Sequence, residues 1–438
     1  MRGIQYAVLL GGVLLIAAPT YAQDEFPAIS PYQPYQTENN LPAVNQQAIV
    51  SGRGLGKTPD AINSILQQTE ESPDSLFPYG PFQPLHDVWK PTTENLKDSA
   101  GLDLGLNYTT IYQSASYVRS GPSSAAGGDF DLFGEWRPWD CDECQPGYLV
   151  FSSESRHRLD DIPPAALNTG TVGGTIVGFG TQDFSMVQFY WEQGSPEDGL
   201  LFRIGEMDPA LIWDGGRYVS SNYAFLSPAF SDTLPMPLPG AGLGFAAAVY
   251  PTENTYISAG IHDANGKRTT AGFDTFFGEG EYFTAVEFGW LPNDGEPNEG
   301  LYHATLWNID SRQSAGRQSD RGVALTLEQQ VGESGHIVPF FRYAYAHRGL
   351  NGIRQNASVG AGVEEVFGQN DDLIGTAFSW EEPSDRSKRD QYVFEFFYRI
   401  WLTPLTHLSP DIQVVMDPAN SPTKDAVTIF GLRLRTLF

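Results

Sequence analysis

The stretch Gln391-Tyr392-Val393-Phe394-Glu395-Phe396-Phe397-Tyr398-Arg399-Ile400 divides into two faces. Tyr392, Phe394, Phe396, Tyr398 and Ile400 share one; Gln391, Val393, Glu395, Phe397 and Arg399 share the other. A period of two is that of a β-strand, whose successive side chains point to opposite sides of the sheet. The C-terminus repeats the pattern. Thr428, Phe430, Leu432, Leu434, Thr436 and Phe438 oppose Ile429, Gly431, Arg433, Arg435 and Leu437. Upstream, Val187, Phe189 and Trp191 alternate with Gln188, Tyr190 and Glu192.

One such strand would suit a soluble sandwich equally well. Two features point to a transmembrane β-barrel. Aromatic residues gather at strand ends, namely Tyr392, Trp401, Trp290, Trp380, Tyr302 and Tyr250, and are assigned to the outward face. The opposite faces mix charge, glycine and amide. An apolar band between aromatic girdles, around a polar lumen, is the signature of an outer-membrane barrel. Closure leaves no unpaired edge in lipid.

Strands are predicted near residues 102–112, 129–137, 148–158, 186–193, 200–207, 242–250, 256–263, 281–290, 301–309, 322–331, 337–346, 357–364, 372–380, 391–401, 408–416 and 427–438. The resulting fold class is an all-β, sixteen-stranded antiparallel transmembrane barrel with short periplasmic turns and long extracellular loops. Short connections, such as 251–255 and 403–407, alternate with long ones at 159–185, 208–241 and 264–280. Loops 159–185 and 208–241 are expected to fold partly into the lumen.

Composition agrees. The 438 residues hold 53 acidic and 26 basic side chains, a net charge of −27 that argues against nucleic acid as a partner. Charged residues make up only 18%, below the roughly 25% usual for soluble domains. A mean hydropathy of −0.28 excludes a bundle of transmembrane helices, and two cysteines exclude a disulfide-built scaffold. Arg2, the apolar run Ala7–Ala18 and the small-residue site Thr20-Tyr21-Ala22 read as a secretory signal, residues 1–22. Residues 23–99 are assigned to a periplasmic extension and 100–438 to the barrel. The extension is rich in Pro, Gln, Asn and Ser to about residue 85 and is read as largely disordered. Short helices are expected over Thr58–Gln68 and Thr92–Ser99.

Several motifs resolve into plain readings. Gly52-Arg53-Gly54-Leu55-Gly56-Lys57-Thr58 resembles a phosphate loop, but Ser51 stands where the first glycine belongs. Cys141-Asp142-Glu143-Cys144 lies in a connection of an exported chain, and a turn-stapling disulfide is its favoured reading. Glu364-Glu365, Asp371-Asp372 and Glu381-Glu382 read as solvated charge at strand ends. Asp263-Ala264-Asn265-Gly266 lacks a third calcium ligand because Lys267 follows it. No hydrolase signature occurs, so neither a catalytic residue, a cofactor nor a metal is assigned.

The remaining polar residues face the lumen. Ser152, Glu154, Arg156 and Arg158 share one side of a strand; Arg203, Glu287 and Arg342 each sit between outward apolar neighbours. Glu154, Arg156, Arg158, Arg203, Glu287 and Arg342 are taken as hydrogen-bonding groups of a pore constriction, with Trp307 as a stacking platform. Such a lining suits a sugar, whose hydroxyls donate and accept and whose C–H face stacks on a ring; charged partners roughly double the strength of a hydrogen bond.

At Gly260–Trp290, with Gly272-Phe273-Asp274-Thr275-Phe276-Phe277 and Glu287-Phe288-Gly289-Trp290, the chain resembles the carbohydrate-selective porins of the OprB type. Glu395-Phe396-Phe397-Tyr398-Arg399-Ile400-Trp401-Leu402-Thr403-Pro404, Leu408-Ser409-Pro410-Asp411-Ile412-Gln413 and the terminal Phe438 carry the likeness further. It departs at Asp87-Val88-Trp89-Lys90 and at Asp417-Pro418. The resemblance implies passive, facilitated diffusion of glucose and related sugars across the bacterial outer membrane. The expected partners are those sugars, outer-membrane lipids and lipopolysaccharide, the barrel-assembly machinery through Phe438, and two further copies in a homotrimer. A general or ion-selective porin is the alternative, and an exported soluble glycan-active enzyme a more distant one.

Overall fold

The two-residue period is realised as sixteen antiparallel strands, each bonded to its neighbours in sequence, with β1 closing on β16. The structure, a computed structural model, describes residues 54–55, 58–70, 73–139, 147–268, 272–293, 299–332, 335–368 and 371–438. The signal segment, most of the glycine-rich motif and the pair Cys141 and Cys144 lie outside the described residues. The first half comprises β1 (Leu102–Ala115), β2 (Ser124–Trp136), β3 (Gly147–Arg158), β4 (Gln182–Ser195), β5 (Leu200–Met207), β6 (Gly242–Thr252), β7 (Thr255–Asp263) and β8 (Tyr282–Trp290). The second comprises β9 (Gly300–Ile309), β10 (Asp320–Gln329), β11 (Ile337–Ala346), β12 (Ile353–Glu364), β13 (Leu373–Pro383), β14 (Gln391–Thr403), β15 (Thr406–Met416) and β16 (Ala426–Leu437). Every strand expected from the alternation is present, with ends shifted by a few residues. Closure extends to the last residue, since Leu106 and Phe438 exchange backbone hydrogen bonds of 3.0 and 2.8 Å.

The outer face is the apolar one. Phe184, Phe245, Phe288, Phe394 and Phe430 all stand exposed on it. So large an apolar surface on a folded chain requires a non-aqueous surrounding. Trp290 and Tyr302 meet edge to face at 5.4 Å on this side. Two expected girdle residues belong elsewhere. Trp401 is buried in the lumen beside His407, and Tyr250 packs against the inner apolar cluster. Parity explains both: Trp401 is two residues from inward Arg399, and Tyr250 two from inward Ala248. Among the described residues no helix is long and apolar enough to cross a membrane.

Inward glycines are covered by rings from the facing strand. Gly105 pairs with Phe133, Gly289 with Tyr256, Gly322 with Trp307 and Gly375 with Phe397. In each case a Cβ on the glycine would overlap the ring. The aromatic side chain fills space that a glycine leaves open in a sheet.

Two long connections at the barrel end remote from the termini turn into the lumen. In 159–181, Thr175 donates to Gln113 (2.9 Å) and its carbonyl accepts from Gln413 (3.0 Å). In 208–241, a short helix, α1 (Pro228–Ser231), carries Phe230, whose ring packs on Phe225, and the Phe225 ring in turn packs against Phe340 and Phe397. Charged wall residues hold this loop by its backbone. The N–H groups of Leu226 and Ser227 donate to the Glu395 carboxylate at 2.6 and 3.0 Å. Arg433 donates to the carbonyls of Ser221 and Ala224 at 2.7 and 2.8 Å. Buried backbone groups must find partners, and here the wall supplies them.

The residues before the barrel also enter it. Leu55 and the helix α2 (Ile62–Glu70) place Leu55, Ile62, Ile65 and Leu66 in one buried cluster with Phe133, Val150, Tyr190, Leu201, Ala246 and Ala248 of the inner wall. Residues 58–70, read from composition as part of an unpacked extension, are thus packed, and their spacing 62, 65, 66 is the one-sided stripe of an amphipathic helix. Burying aliphatic side chains of this size stabilises by about 1.5–3 kcal/mol each. The chain leaves the lumen at the end that carries the termini, where Leu76 and Phe77 donate to the carbonyls of Trp401 and Leu402 at 3.0 and 2.9 Å. A third helix, α3 (Gln83–Ala100), then packs on β1, ending at Gly101, whose φ of 66° lies in the left-handed region that glycine tolerates. Its Lys97 bridges Glu70 and Asp103.

Candidate functional site

Strand parity sets the site. On β2 the inward positions include Asp129, Asp131 and Phe133; on β3 they include Ser152, Glu154 and Arg156, and register places Asp129 opposite Arg156 and Asp131 opposite Glu154. Oxygens of Asp129, Asp131 and Glu154 lie within 4.8 Å of one another. Guanidinium groups hold this concentration of negative charge together. Arg156 Nε donates to Asp129 at 3.0 Å, and its Nη2 to Glu154 at 2.8 Å. Arg268, from the connection after β7, donates to Glu154 and Asp208 at 3.0 Å each and to Gln182 at 3.2 Å. Glu154 therefore stands between two cations.

Asp131, Glu154, Arg156, Asp208 and Arg268 of this lattice line a lumenal cavity of about 160 Å³ together with Asp60, Ile62, Ile65, Phe179, Gln188, Asn222 and Arg435. A second cavity of about 300 Å³, lined by Asp214, Asp232, Thr233 and Asn351, shares Asp60, Asp208, Ser221 and Arg268 with it. Together the two walls carry six carboxylates (Asp60, Asp131, Glu154, Asp208, Asp214, Asp232) and three guanidiniums (Arg156, Arg268, Arg435). The cluster of arginines anticipated on β3 is thus outnumbered by acids in its immediate surroundings.

Of the residues singled out from sequence, Glu154 and Arg156 meet at this cavity. Arg158 lies past it at the strand end, exposed, and donates to the Asp161 carbonyl at 3.2 Å. Arg203 pairs with Glu192 across β4 and β5 at 2.5 Å and lies over the Tyr190 ring. Glu287 accepts from Tyr256 (2.9 Å), Thr305 (2.6 Å) and the Asp214 N–H (3.2 Å). Arg342 donates to the carbonyls of Phe230 and Asp232 at 2.8 and 3.2 Å, and to the Asp214 carboxylate and Thr233 at 2.8 Å each. Glu287 and Arg342 therefore fasten loop 208–241. Trp307 faces inward, as expected, but its ring lies on Gly322 inside the apolar cluster. Asp60, Asp208 and Arg268, which sequence reading left unassigned, come from loops. Only their charge marks them, and loop charge is ordinarily solvated. Asp131 and Arg435 were legible, since both share a face with inward neighbours.

Two loop acids respond oppositely to the same interior. Burial would raise the Asp214 carboxyl, but Arg342, with His303 and the Thr233 hydroxyl, holds it below the usual range. Asp232 offers mainly its carbonyl to Arg342, so burial prevails and pushes its carboxyl up to about 6.

A profile described as "Carbohydrate-selective porin, OprB family" matches residues 165–438. The chain belongs to this family. Among curated relatives of this OprB-family porin is Porin AaxA of Chlamydia felis, 23% identical over 404 residues, covering 84% of this chain and 89% of that protein. Porin AaxA of Chlamydia abortus is 24% identical over 307 residues, covering 68% and 67%. Among solved structures, the high-pH structure of Pseudomonas putida OprB superposes with a TM-score of 0.64 at 14% identity, covering 80% of this chain and 97% of that one. Family and fold make this a channel of the bacterial outer membrane, a porin rather than an enzyme.

Proposed function

We propose that this porin passes small neutral polyhydroxylated solutes, glucose and related sugars, by facilitated diffusion, and that the cavity around Glu154 is its binding site. The observation that carries the reading is a carboxylate held between Arg156 and Arg268 on the cavity wall. Acceptors beside charged donors can serve both halves of a hydroxyl group, and charge-assisted bonds are the stronger kind. Ser152, Gln188 and Asn222 add neutral partners, and Phe179 an apolar surface for a C–H face. Transport requires binding favourable enough to admit the solute and weak enough to release it. Liposome swelling with glucose, a disaccharide and an amino acid tests the reading. Glucose is expected to pass fastest, and Glu154→Gln to slow it more than the amino acid. Equal loss for all three solutes would refute a sugar site.

A second reading has its own observation, the six carboxylates against three guanidiniums on the cavity walls. Such a lining favours small cations. A reversal potential in a salt gradient separates the two, because a neutral-solute channel shows little preference between potassium and chloride.

A further inference from the structure

We infer that the segment described at residues 54–55 and 58–70 is a built-in plug that closes the lumen from the end where β1 starts and β16 finishes, so that passage requires its withdrawal. The inference takes from the preceding section only that the cavity beside Glu154 lies on the route. Its first support is the wall itself. On β2 to β6, the inner face behind this segment presents Phe133, Val150, Tyr190, Leu201, Ala246 and Ala248. The lumen of an open porin is polar, and across the barrel, beside Glu395, Gln413 and Arg433, the apolar inner-face residues Phe340, Val393 and Phe397 are likewise covered, there by Phe225 and Phe230 of the inward loop. An apolar lumenal wall makes physical sense when something apolar covers it, and Leu55, Ile62, Ile65 and Leu66 do so.

The second support is how far the segment reaches. Its described residues, 54–55 and 58–70, form a hairpin with both limbs at one end of the barrel. Gly54 lies against Ala248 and Tyr250 near the end of β6, while Glu70 meets Lys97 of α3, which also pairs with Asp103 at the start of β1. Between them the chain turns at Thr58–Ala61, with the Ala61 N–H donating to the Thr58 carbonyl at 3.0 Å and Gln68 donating across to the Pro59 carbonyl at 3.2 Å. The tip residue Asp60 touches Asn222 of the inward loop at 3.4 Å and lines both cavities. Ile62 and Ile65 form part of the same wall as Glu154. A solute bound beside Glu154 therefore rests against the hairpin.

The third support is that the docking is incomplete. Among the described residues, no protein group bonds the buried Thr58 and Ser64 hydroxyls or the Gln68 amide oxygen. Each would recover hydrogen bonds to water on leaving, and these gains offset the apolar burial that holds the hairpin in place. Contacts balanced in this way suit a segment that leaves and returns.

Single-channel conductance in potassium chloride tests the plug without reference to sugar, so a failure of the sugar reading leaves this measurement unaffected. Deletion of residues 54–70 from the full chain is expected to raise conductance several-fold, and a synthetic peptide of those residues to restore the closed level when added from one side only. Ile62→Glu with Ile65→Glu, which leaves chain length unchanged, is expected to reproduce the rise. A deletion variant that folds, by its heat-dependent gel mobility, and conducts as the parent does would overturn the inference. Should the deletion fail to fold, parental conductance in the double glutamate variant overturns it equally.

Discussion

Replacing Arg342 by Met tests whether the inward loop is held by wall charges. The guanidinium is 95% covered and makes hydrogen bonds of 2.8–3.3 Å to Phe230, Asp232, Asp214, Thr233 and Thr326. Met fills a similar volume but removes every donor. The larger consequence falls on Asp214, only 2% exposed, which keeps the hydroxyls of Thr233 and Thr326 and the His303 ring at 3.6 Å but loses the guanidinium at 2.8 Å. Removing one partner of a buried ion pair costs about 3–5 kcal/mol, because the remaining charge is left uncompensated. That cost falls on the loop rather than the barrel, whose ladder does not use the Arg342 side chain. Arg342→Met is therefore expected to release 208–241 while the strands stay closed. Protease is expected to cut within 208–241 in the variant and spare the parent, and conductance to rise. Asp214→Asn combined with Arg342→Met removes the stranded charge and is expected to recover about half of the loss. An intact loop and parental conductance in Arg342→Met would refute the reasoning.

The other expectations are narrower. Asp232 has its folded carboxyl raised to about 6 against about 3.9 unfolded, so the folded loop binds more protons between those values. Its contribution is present below about pH 4 and is lost as pH rises through 6; loop protection from protease should weaken over that window in the parent and not in Asp232→Asn. Arg156→Ala should lower glucose flux at low concentration, whereas Arg158→Ala, beyond the cavity, should leave it unchanged in liposome swelling. Gly289→Val would drive a side chain into the Tyr256 ring and, as overpacking, destabilise by about 1–3 kcal/mol; denaturation in detergent reads it.

The barrel was legible because its solvent imposes one rule on every strand. Lipid outside and polar groups inside fix the parity of each side chain, so Phe394 and Glu395 announce opposite faces without knowledge of their neighbours. Parity also carried the inward direction of Glu154, Arg203, Glu287, Trp307 and Arg342, and it corrects Trp401 and Tyr250, whose strand-end positions had suggested a girdle. Parity cannot say what an inward side chain meets. Arg156 and Arg342 look alike in sequence, each flanked by outward residues, yet one lines a cavity and the other grips loop carbonyls. That difference is decided by where 208–241 and Arg268 fold, and loop paths obey no period. The hairpin at 54–70 is the instructive intermediate case. Its composition, rich in Pro, Gln, Asn and Ser, argued for an unpacked chain with one short helix over Thr58–Gln68, while Ile62, Ile65 and Leu66 carried the stripe that marks that helix as one-sided. The wall carried the matching half of the signal. Inward Phe133, Val150 and Leu201 are misfits in a wet bore, and a run of misfits on adjacent strands marks a surface that expects cover. Reading the lumenal face for its apolar exceptions, rather than for its charges alone, would have brought the two halves together.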